Sequence, residues 1–380
     1  MSKLNVAVLY GGKSTEHEVS IITALQVMHN LDKTKYRLFP IYISKSGSWH
    51  FLENETASDP KTYKDLKIVT QNSTQAIIHH SSLYTSSNFL LGKSIMSHQA
   101  KIDVAFPVFH GTYGEDGTFQ GRLEVSNLPY VGSGVLSSSV GMDKLVQKLV
   151  FAAIGLPQVK YNQTGAGLKY PLFVKPANGG SSIGITKVNN SQELADAIEV
   201  AYCYDRRVVV EESAEGFMEI NISVLGNSGG ELKTSVCEQP IASRDILTYQ
   251  DKYQSSQGTS KGMASAKRLI PAPIQPETAA KIAQMAKTAF TTLDCSGLAR
   301  VDFLVSPDEK IIYINEINTI PGSLAFYLWE ASGLKFPQLL DELIRLALEK
   351  YSAQSKLIHT FATNILANLG NTLKGGKLKG

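Results

Sequence analysis

Residues 299–322 constrain this chain more than any other stretch. Val301, Phe303 and Val305 alternate with other residues, Ser306–Lys310 is polar, and Ile311–Ile317 turns apolar again. That is the pattern of two strands joined by a turn. Period two puts Glu316 and Asn318 on one face of the return strand. Asp302 falls nearly opposite them on the outgoing strand, within one residue of register. Two carboxylates and an amide therefore converge among apolar neighbours. Unpaired buried carboxylates are costly, whereas an oxygen-rich cluster suits Mg²⁺, which takes one or two carboxylates plus phosphate oxygens. Arg300 and the Pro321–Gly322 turn flank the cluster and offer a guanidinium and a free backbone N–H to a developing oxyanion. The same spacing also describes an ordinary hairpin with solvated acids.

The chain has 380 residues, enough for two or three domains. At 43% hydrophobic and 19% charged it is neither disordered nor fibrous. A net charge of +3 makes no case for a nucleic-acid partner. Cys203, Cys237 and Cys295 lack C-x-x-C spacing, so they read as core thiols, not as a zinc site or disulfide framework. Met1-Ser2-Lys3 leads directly into a strand pattern, and no apolar run has the length of a membrane span. A soluble cytoplasmic protein without a membrane partner is expected.

The chain opens with the apolar run Asn5–Tyr10, then Gly11-Gly12, then a helical pattern from Glu16 through Val19, Ile22, Val27 and Leu31. Strand, glycine turn and helix open a doubly wound α/β unit. There is no G-x-G-x-x-G. Tyr36–Ile43 and Ile102–Phe109 read as further strands, whereas residues 52–100 read as polar and irregular. The glycine-rich loop His110–Gly121 follows a strand's carboxyl end, where ligands bind in open α/β sheets; its glycines and acids also fit a tight turn and helix caps. A small-residue segment, Val131–Lys144, runs into a helix carrying Lys148. Strand patterns at Tyr170–Lys175 and Ile183–Val188 flank Pro176–Ser182. That loop lacks the Gly-Lys-[Ser/Thr] ending of a P-loop. Its backbone N–H groups and hydroxyls, with Lys175 beside them, can still fold over phosphates, and it can equally be a flexible turn. Gln192–Tyr202 reads as a helix, Arg207–Val210 as a strand delivering Glu211 and Glu212, and Glu219–Leu225 as another strand. Ser243–Lys267 is a long polar stretch containing Tyr249, Lys252 and Tyr253; such loops are lids or disordered. Helices are expected at 276–293, Leu328–Gly333 and Leu339–Tyr351, followed by a frayed Gly- and Lys-rich tail.

Together these segments resemble the D-alanine–D-alanine ligase family of the ATP-grasp superfamily over most of residues 4–347. The motifs that carry the resemblance run in order: Gly11-Gly12 with Glu16–Ser20, His110-Gly111 with Gly114–Gly117 and Gln120, Gly132–Gly134 with Met142–Lys144, and Lys175-Pro176 with Gly180–Gly184. Tyr249 with Lys252-Tyr253, Arg300 with Asp302-Phe303, and Asn315–Gly322 complete the series.

The resemblance implies an α/β chain, α+β in parts, with a three-domain ATP-grasp fold. The domains would be an N-terminal doubly wound α/β substrate domain (1–127), a central ATP-grasp subdomain (128–212) and a C-terminal one with a lid loop (213–350), then a tail (351–380). It implies an ATP-dependent ligase that joins two D-alanines through an acyl phosphate for peptidoglycan synthesis. Lys144 and Lys175 would hold phosphates under the Gly180–Ser182 loop. Glu211, Glu212 and Ala214 would form the adenine hinge, with Glu219 at the ribose and Lys252 also at the nucleotide. Asp302, Glu316 and Asn318 would hold two Mg²⁺ ions, with Mn²⁺ as the alternative. Glu16 would bind the first substrate's ammonium, with His110 nearby. Ser181 and Tyr253 would link to Glu16 and close the lid. Arg300 and the Gly322 N–H would stabilise the tetrahedral oxyanion. The resemblance also carries the expectation of a homodimer.

One departure bears on the second substrate. After Pro321-Gly322 the family usually has a longer segment with a carboxylate-binding serine. Here Ser323–Gly333 is shorter, leaving Ser323 or Tyr327 as substitutes. A second amino acid other than D-alanine is therefore the alternative reading. Lys252-Tyr253 resembles the ligases that take an amine. A non-catalytic nucleotide-binding protein is the competing class, and the full set Lys144, Lys175, Arg300, Asp302, Glu316 and Asn318 speaks against it.

Overall fold

A computed structural model describes residues 3–90, 93–241 and 267–364, with the side chains of 87–90 and 93–95 excepted. In the first part of the chain, β1 (Leu4–Gly11) pairs in parallel with β2 (Tyr36–Ile43) on one side and with β7 (Val104–Pro107) on the other. Helix α1 (His17–Asn30) connects β1 to β2. The chain thus leaves β1 in both directions, as a doubly wound sheet does.

Residues 52–100 are not irregular. After β3 (Trp49–Phe51) come two short helices, α2 (Asn54–Ser58) and α3 (Leu66–Gln71), and then β4 (Thr74–His79), β5 (Ser82–Leu90) and β6 (Lys93–Lys101). These strands extend the sheet to seven in the order β6-β5-β4-β3-β2-β1-β7. The sequence does not announce β4, because half of its side chains are exposed and only Ile78 is buried, and its turn to β5 is His80-Ser81, both at positive φ. Asn-Gly or Asp-Gly is the usual signal for such a hairpin turn.

Helices α4 (Thr118–Val125), α5 (Val135–Met142) and α6 (Lys144–Ala153) lead into a second sheet. It contains β8 (Tyr161–Asn162), β9 (Leu172–Pro176), β10 (Thr186–Val188) and β11 (Val208–Glu212), in the order β10-β9-β11-β8. Helix α7 (Ser191–Tyr202) buries Ala197 and Ala201. Of the expected core thiols, Cys237 and Cys295 are buried, but Cys203 is exposed. It follows the last turn of α7, off the buried stripe, and its thiol donates to the Glu199 carbonyl.

A third sheet has the order β13-β12-β16-β17. Its strands are β12 (Met218–Asn227), β13 (Lys233–Thr234), β16 (Ser296–Val305) and β17 (Ile312–Asn318). A small ribbon of β14 (Gln239–Pro240) and β15 (Arg268–Leu269) is tied to β12 by the Asn221–Glu238 backbone bridge. Helix α8 (Pro276–Thr292) covers one face through Ile282, Ala286, Ala289 and Phe290. The β16–β17 hairpin pairs Arg300 with Asn318 and Asp302 with Glu316; a bulge then pairs Phe303 with Ile314. The extra residue lets Ile314 and Ile317, three apart, both face the core while Glu316 faces outward with Asp302. Helices α9 (Phe326–Ala331) and α10 (Phe336–Gln354) follow. Leu339, Leu340, Leu343 and Ile344 of α10 share a core with Val6, Val8 and Phe106 of the first sheet. Helix α10 is thereby packed against the first sheet.

Phe303 is fully buried beneath the acidic face. Phe303→Ala is expected to cost about 3–5 kcal/mol of stability, read as a lower urea midpoint with an unchanged denaturant slope.

Candidate active site

The hairpin's outward face is charged and organised. Arg300 and Asp302, two apart on β16, form a bidentate pair, Nε to Oδ1 at 2.6 Å and Nη2 to Oδ2 at 2.7 Å. The Asn318 amide donates to Asp302 Oδ2 at 3.0 Å. Burial works against the Arg300 charge, yet the adjoining Asp302 carboxylate holds its pKa well above the ordinary value. Across the ladder from Asp302, Glu316 Oε2 lies 3.8 Å from Lys144 Nζ.

Facing this hairpin, a cavity of about 450 Å³ opens between the second and third sheets. Lys175, Ser182, Glu211, Glu212, Ala214 and Glu219 line it together with Asp302 and Glu316. Almost every residue that the resemblance assigns to a nucleotide or metal, Lys144, Lys252 and Asn318 apart, is thus brought to one cavity. Glu211 turns its carboxylate inward, between Lys175 Nζ at 2.7 Å and Lys148 Nζ at 3.2 Å. Burial pushes the Glu211 pKa up, but the two lysines outweigh it and hold it at about 2. Lys148 is fully buried, and desolvation lowers its pKa. The sequence marks it only by its position four after Lys144, inside an apolar pattern.

Lys144, at the start of α6, donates from Nζ to the Gly179 carbonyl at 2.7 Å, tying the helix to the loop. Asp143 caps the same helix by accepting from Leu145 and Val146 N–H and pairs with Arg207. At the loop tip Ser181 and Ser182 both have positive φ. The Ser181 hydroxyl donates to Glu16 Oε1, 165 residues away in sequence. A Cβ on Gly180 would stand 2.5 Å from Glu16 Oε2, so a larger residue there displaces the Glu16 carboxylate.

Glu16 precedes α1 and is buried, as is His110. His110 Nε2 meets Thr23 Oγ1 at 2.9 Å, and the ring also bonds the Ile320 carbonyl. Burial drops its pKa to about 4, so the imidazole is neutral. Glu115 accepts from the Gly111 N–H at 2.7 Å and lines a cleft with Lys144, Glu316 and Asn318. Burial and the neighbouring Glu16 push its carboxyl well above the usual range. Glu115 lies within the glycine-rich loop His110–Gly121, where nothing local distinguishes it from Asp116.

Gly322 and Ser323 begin a turn in which Ser323, Leu324 and Ala325 all have positive φ, between 46° and 53°. Among the described residues the buried Ser323 hydroxyl has no hydrogen-bond partner. Tyr327 is committed elsewhere: its hydroxyl donates to Glu238 Oε1 at 3.2 Å, and Arg268 lies 3.8 Å from its ring centroid. Of the two substitutes only Ser323 is left with its donor unused. Lys252 and Tyr253 lie outside the described residues.

Among the described residues no group of three or more His, Cys, Asp or Glu side chains is arranged to hold a metal alone. The hairpin set has two carboxylates and one amide, all hard oxygen donors beside a lysine-lined cavity. That chemistry fits Mg²⁺ with phosphate oxygens completing its shell.

His110 binds its proton below about pH 4 when folded and below about 6.5 when unfolded. In that window the unfolded chain holds more protons, so stability rises with pH. His110→Gln is expected to remove roughly 3 kcal/mol of this rise, read from urea midpoints at both ends of the window.

Two family models match the chain: the D-ala D-ala ligase N-terminus over residues 5–133 and the D-ala D-ala ligase C-terminus over residues 156–345. The D-alanine–D-alanine ligase of Geobacillus kaustophilus is 40% identical across 94% of this chain and 98% of its own. That of Chloroherpeton thalassium is 41% identical across 93% and 98%. Among solved structures, the D-alanine–D-alanine ligase from Coxiella burnetii superposes with a TM-score of 0.76 at 34% identity, covering 93% of this chain and 98% of that one. The VanG D-Ala:D-Ser ligase from Enterococcus faecalis gives 0.75 at 34% identity, covering 91% and 100%. The fold is the ATP-grasp fold, and the chain belongs to the D-alanine–D-alanine ligase family.

Proposed function

We propose that this chain joins two D-alanine molecules at the expense of ATP, through an acyl phosphate, for peptidoglycan precursor synthesis. The observation that carries the reading is the Ser181–Glu16 contact. It seats the loop after Lys175 on the acid that begins α1, beside the cleft that holds Lys144, Glu316 and Asn318. A phosphate-covering loop and an amino-acid site thereby share one enclosed space.

In this reading Lys144 and Lys175 hold phosphate oxygens, and Ser182 with the loop N–H groups covers them. Glu211, Glu212 and Ala214 border the adenine, and Glu219 the ribose. Lys148 stabilises Glu211 so that Lys175 is not wholly neutralised. Asp302, Glu316 and Asn318 hold Mg²⁺, two ions with Mn²⁺ as substitute, which supplies charge neutralisation on the phosphate oxygens. Glu16 binds the first D-alanine's ammonium, and neutral His110 adds no competing positive charge. The first carboxylate oxygen attacks the γ-phosphorus, and the bond to ADP breaks. The second amine then attacks the acyl carbon, phosphate leaves, and the amine loses its proton. Arg300 and the Gly322 N–H face the tetrahedral oxyanion, and Ser323 takes the second carboxylate. Lys252 and Tyr253 belong to the lid that excludes water. The same reading divides the chain at 127, 212 and 350 and puts the reaction in the cytoplasm. No described helix is long and apolar enough to cross a membrane.

The tight left-handed turn at Ser323–Ala325 favours one second reading, D-alanine joined to another amino acid. A structural relative of equal identity is named for D-Ala:D-Ser, so likeness alone does not choose.

Phosphate release from ATP and Mg²⁺ with D-alanine as sole amino acid, with mass spectrometry of the product, tests both. Dipeptide in step with phosphate is expected. Phosphate without dipeptide selects the second reading, and no phosphate overturns D-alanine as first substrate. Glu316→Gln is expected to keep the wild-type circular dichroism and unfolding midpoint while losing turnover. Full activity in that variant would remove Glu316 from the metal set.

A further inference from the structure

A second cavity, of about 410 Å³, lies on the far side of the loop after β7. It opens at the carboxyl ends of β1 and β7 and behind the β2–β3 turn, bordered by Gly11, Gly12, Ile43 and Phe109. This is the point where the chain leaves β1 in two directions, which is where doubly wound sheets bind ligands. The loop forms the wall between the cavity and the reaction cleft, and the buried His110 at its start borders the cavity too. Thr112, Tyr113 and Gly114 face the cavity, whereas Glu115 lines the cleft with Lys144 and Glu316.

The walls are aromatic. Trp49 stacks on Phe119 with centroids 5.5 Å apart and planes at 16°, and Phe119 in turn meets Phe109 at 4.5 Å. The charge is of one sign. The Arg122 guanidinium lies 4.2 Å from the Trp49 ring centroid, and Lys13 Nζ lies 5.8 Å from that of Tyr113. Among the described residues the lining includes no carboxylate, and neither Arg122 nor Lys13 makes an ion pair or side-chain hydrogen bond. Partial desolvation lowers the Arg122 pKa with no acid to counter it. Asp116, in the same loop, accepts from the Tyr113 and Thr118 N–H groups. A guanidinium held flat by an indole keeps its donor edge open for a carboxylate. The volume matches a small molecule and not a peptide.

We infer that this cavity is a second ligand site, adjoining the ligase centre through His110, that takes a small aromatic carboxylate: the ring against the wall that Trp49, Phe119 and Phe109 form together, the carboxylate on Arg122 and Lys13. Nothing in the ligase chemistry uses Arg122, Lys13 or Trp49, so the site and the reaction can be tested apart.

The test is calorimetric titration of the full-length protein with three probes: 1-naphthoate, 1-naphthylmethylammonium and acetate. They share either the ring or the charge. Binding of 1-naphthoate alone is expected. Arg122→Gln is expected to weaken it about ten- to a hundredfold and Lys13→Gln to weaken it less, both with wild-type unfolding midpoints. Arg122→Lys should recover part of the loss. Equal binding of the ammonium probe would overturn the proposal, because the site would then read only the ring. Undiminished binding in Arg122→Gln, or no heat from 1-naphthoate at millimolar concentration, would overturn it as well.

Discussion

The Arg300–Asp302 pair sets the terms for everything around it. Both groups are nearly removed from water on a strand whose other face is a dry core. A buried charge without a partner is strongly destabilising, and a pair survives only with good geometry and further hydrogen bonds. Here the guanidinium meets the carboxylate on two edges, and Asn318 from the neighbouring strand adds a third donor. The bulge after Asp302 makes this compatible with the core. It changes which residues of β17 face inward, so Ile314 and Ile317 pack while Glu316 joins Asp302. Shifting that register by one residue would bury the acids and expose the isoleucines.

The same logic of compensated charge runs outward from the hairpin. Lys144 stands between Glu316 and the Gly179 carbonyl, and Glu211 stands between Lys148 and Lys175. The carboxylate between two lysines lets both stay in a low-dielectric wall without mutual repulsion. The loop after Lys175 ends on Glu16, where Gly180 leaves the Glu16 carboxylate its room. One cleft is thus assembled from all three sheets by pairs that are each locally satisfied. His110 is the exception that needs no charge: burial keeps it neutral, anchored to Thr23 and to the Ile320 carbonyl just before the Gly322 turn.

Much of this was legible in the chain. The hairpin showed itself by alternation, and its two carboxylates and amide by spacing. The loop at Lys175 and the strand delivering Glu211 were visible for the same reason. Other features were not. β4 and β5 carry no long apolar alternation, and their turn uses His80-Ser81, so nothing in 74–90 announced a hairpin. Lys148 looks like any helical lysine until its neighbours are known. Glu115 differs from Asp116 beside it only in which way the loop turns it, toward the cleft or onto backbone N–H groups. Tyr327 was a reasonable carboxylate ligand by position and is instead held by Glu238 and Arg268.

What the sequence determined by itself was local: where strands and helices run outside residues 52–100, which residues share a face, and the order of motifs that marks the family. These follow from periodicity and turn chemistry, which act over a few residues. The tertiary structure decided which charges meet. Glu16 and Ser181 are 165 residues apart, and Lys175 and Glu211 are 36 apart. The first pairing depends on how the sheets pack and the second on β9 and β11 lying side by side in one sheet, and no local pattern encodes either.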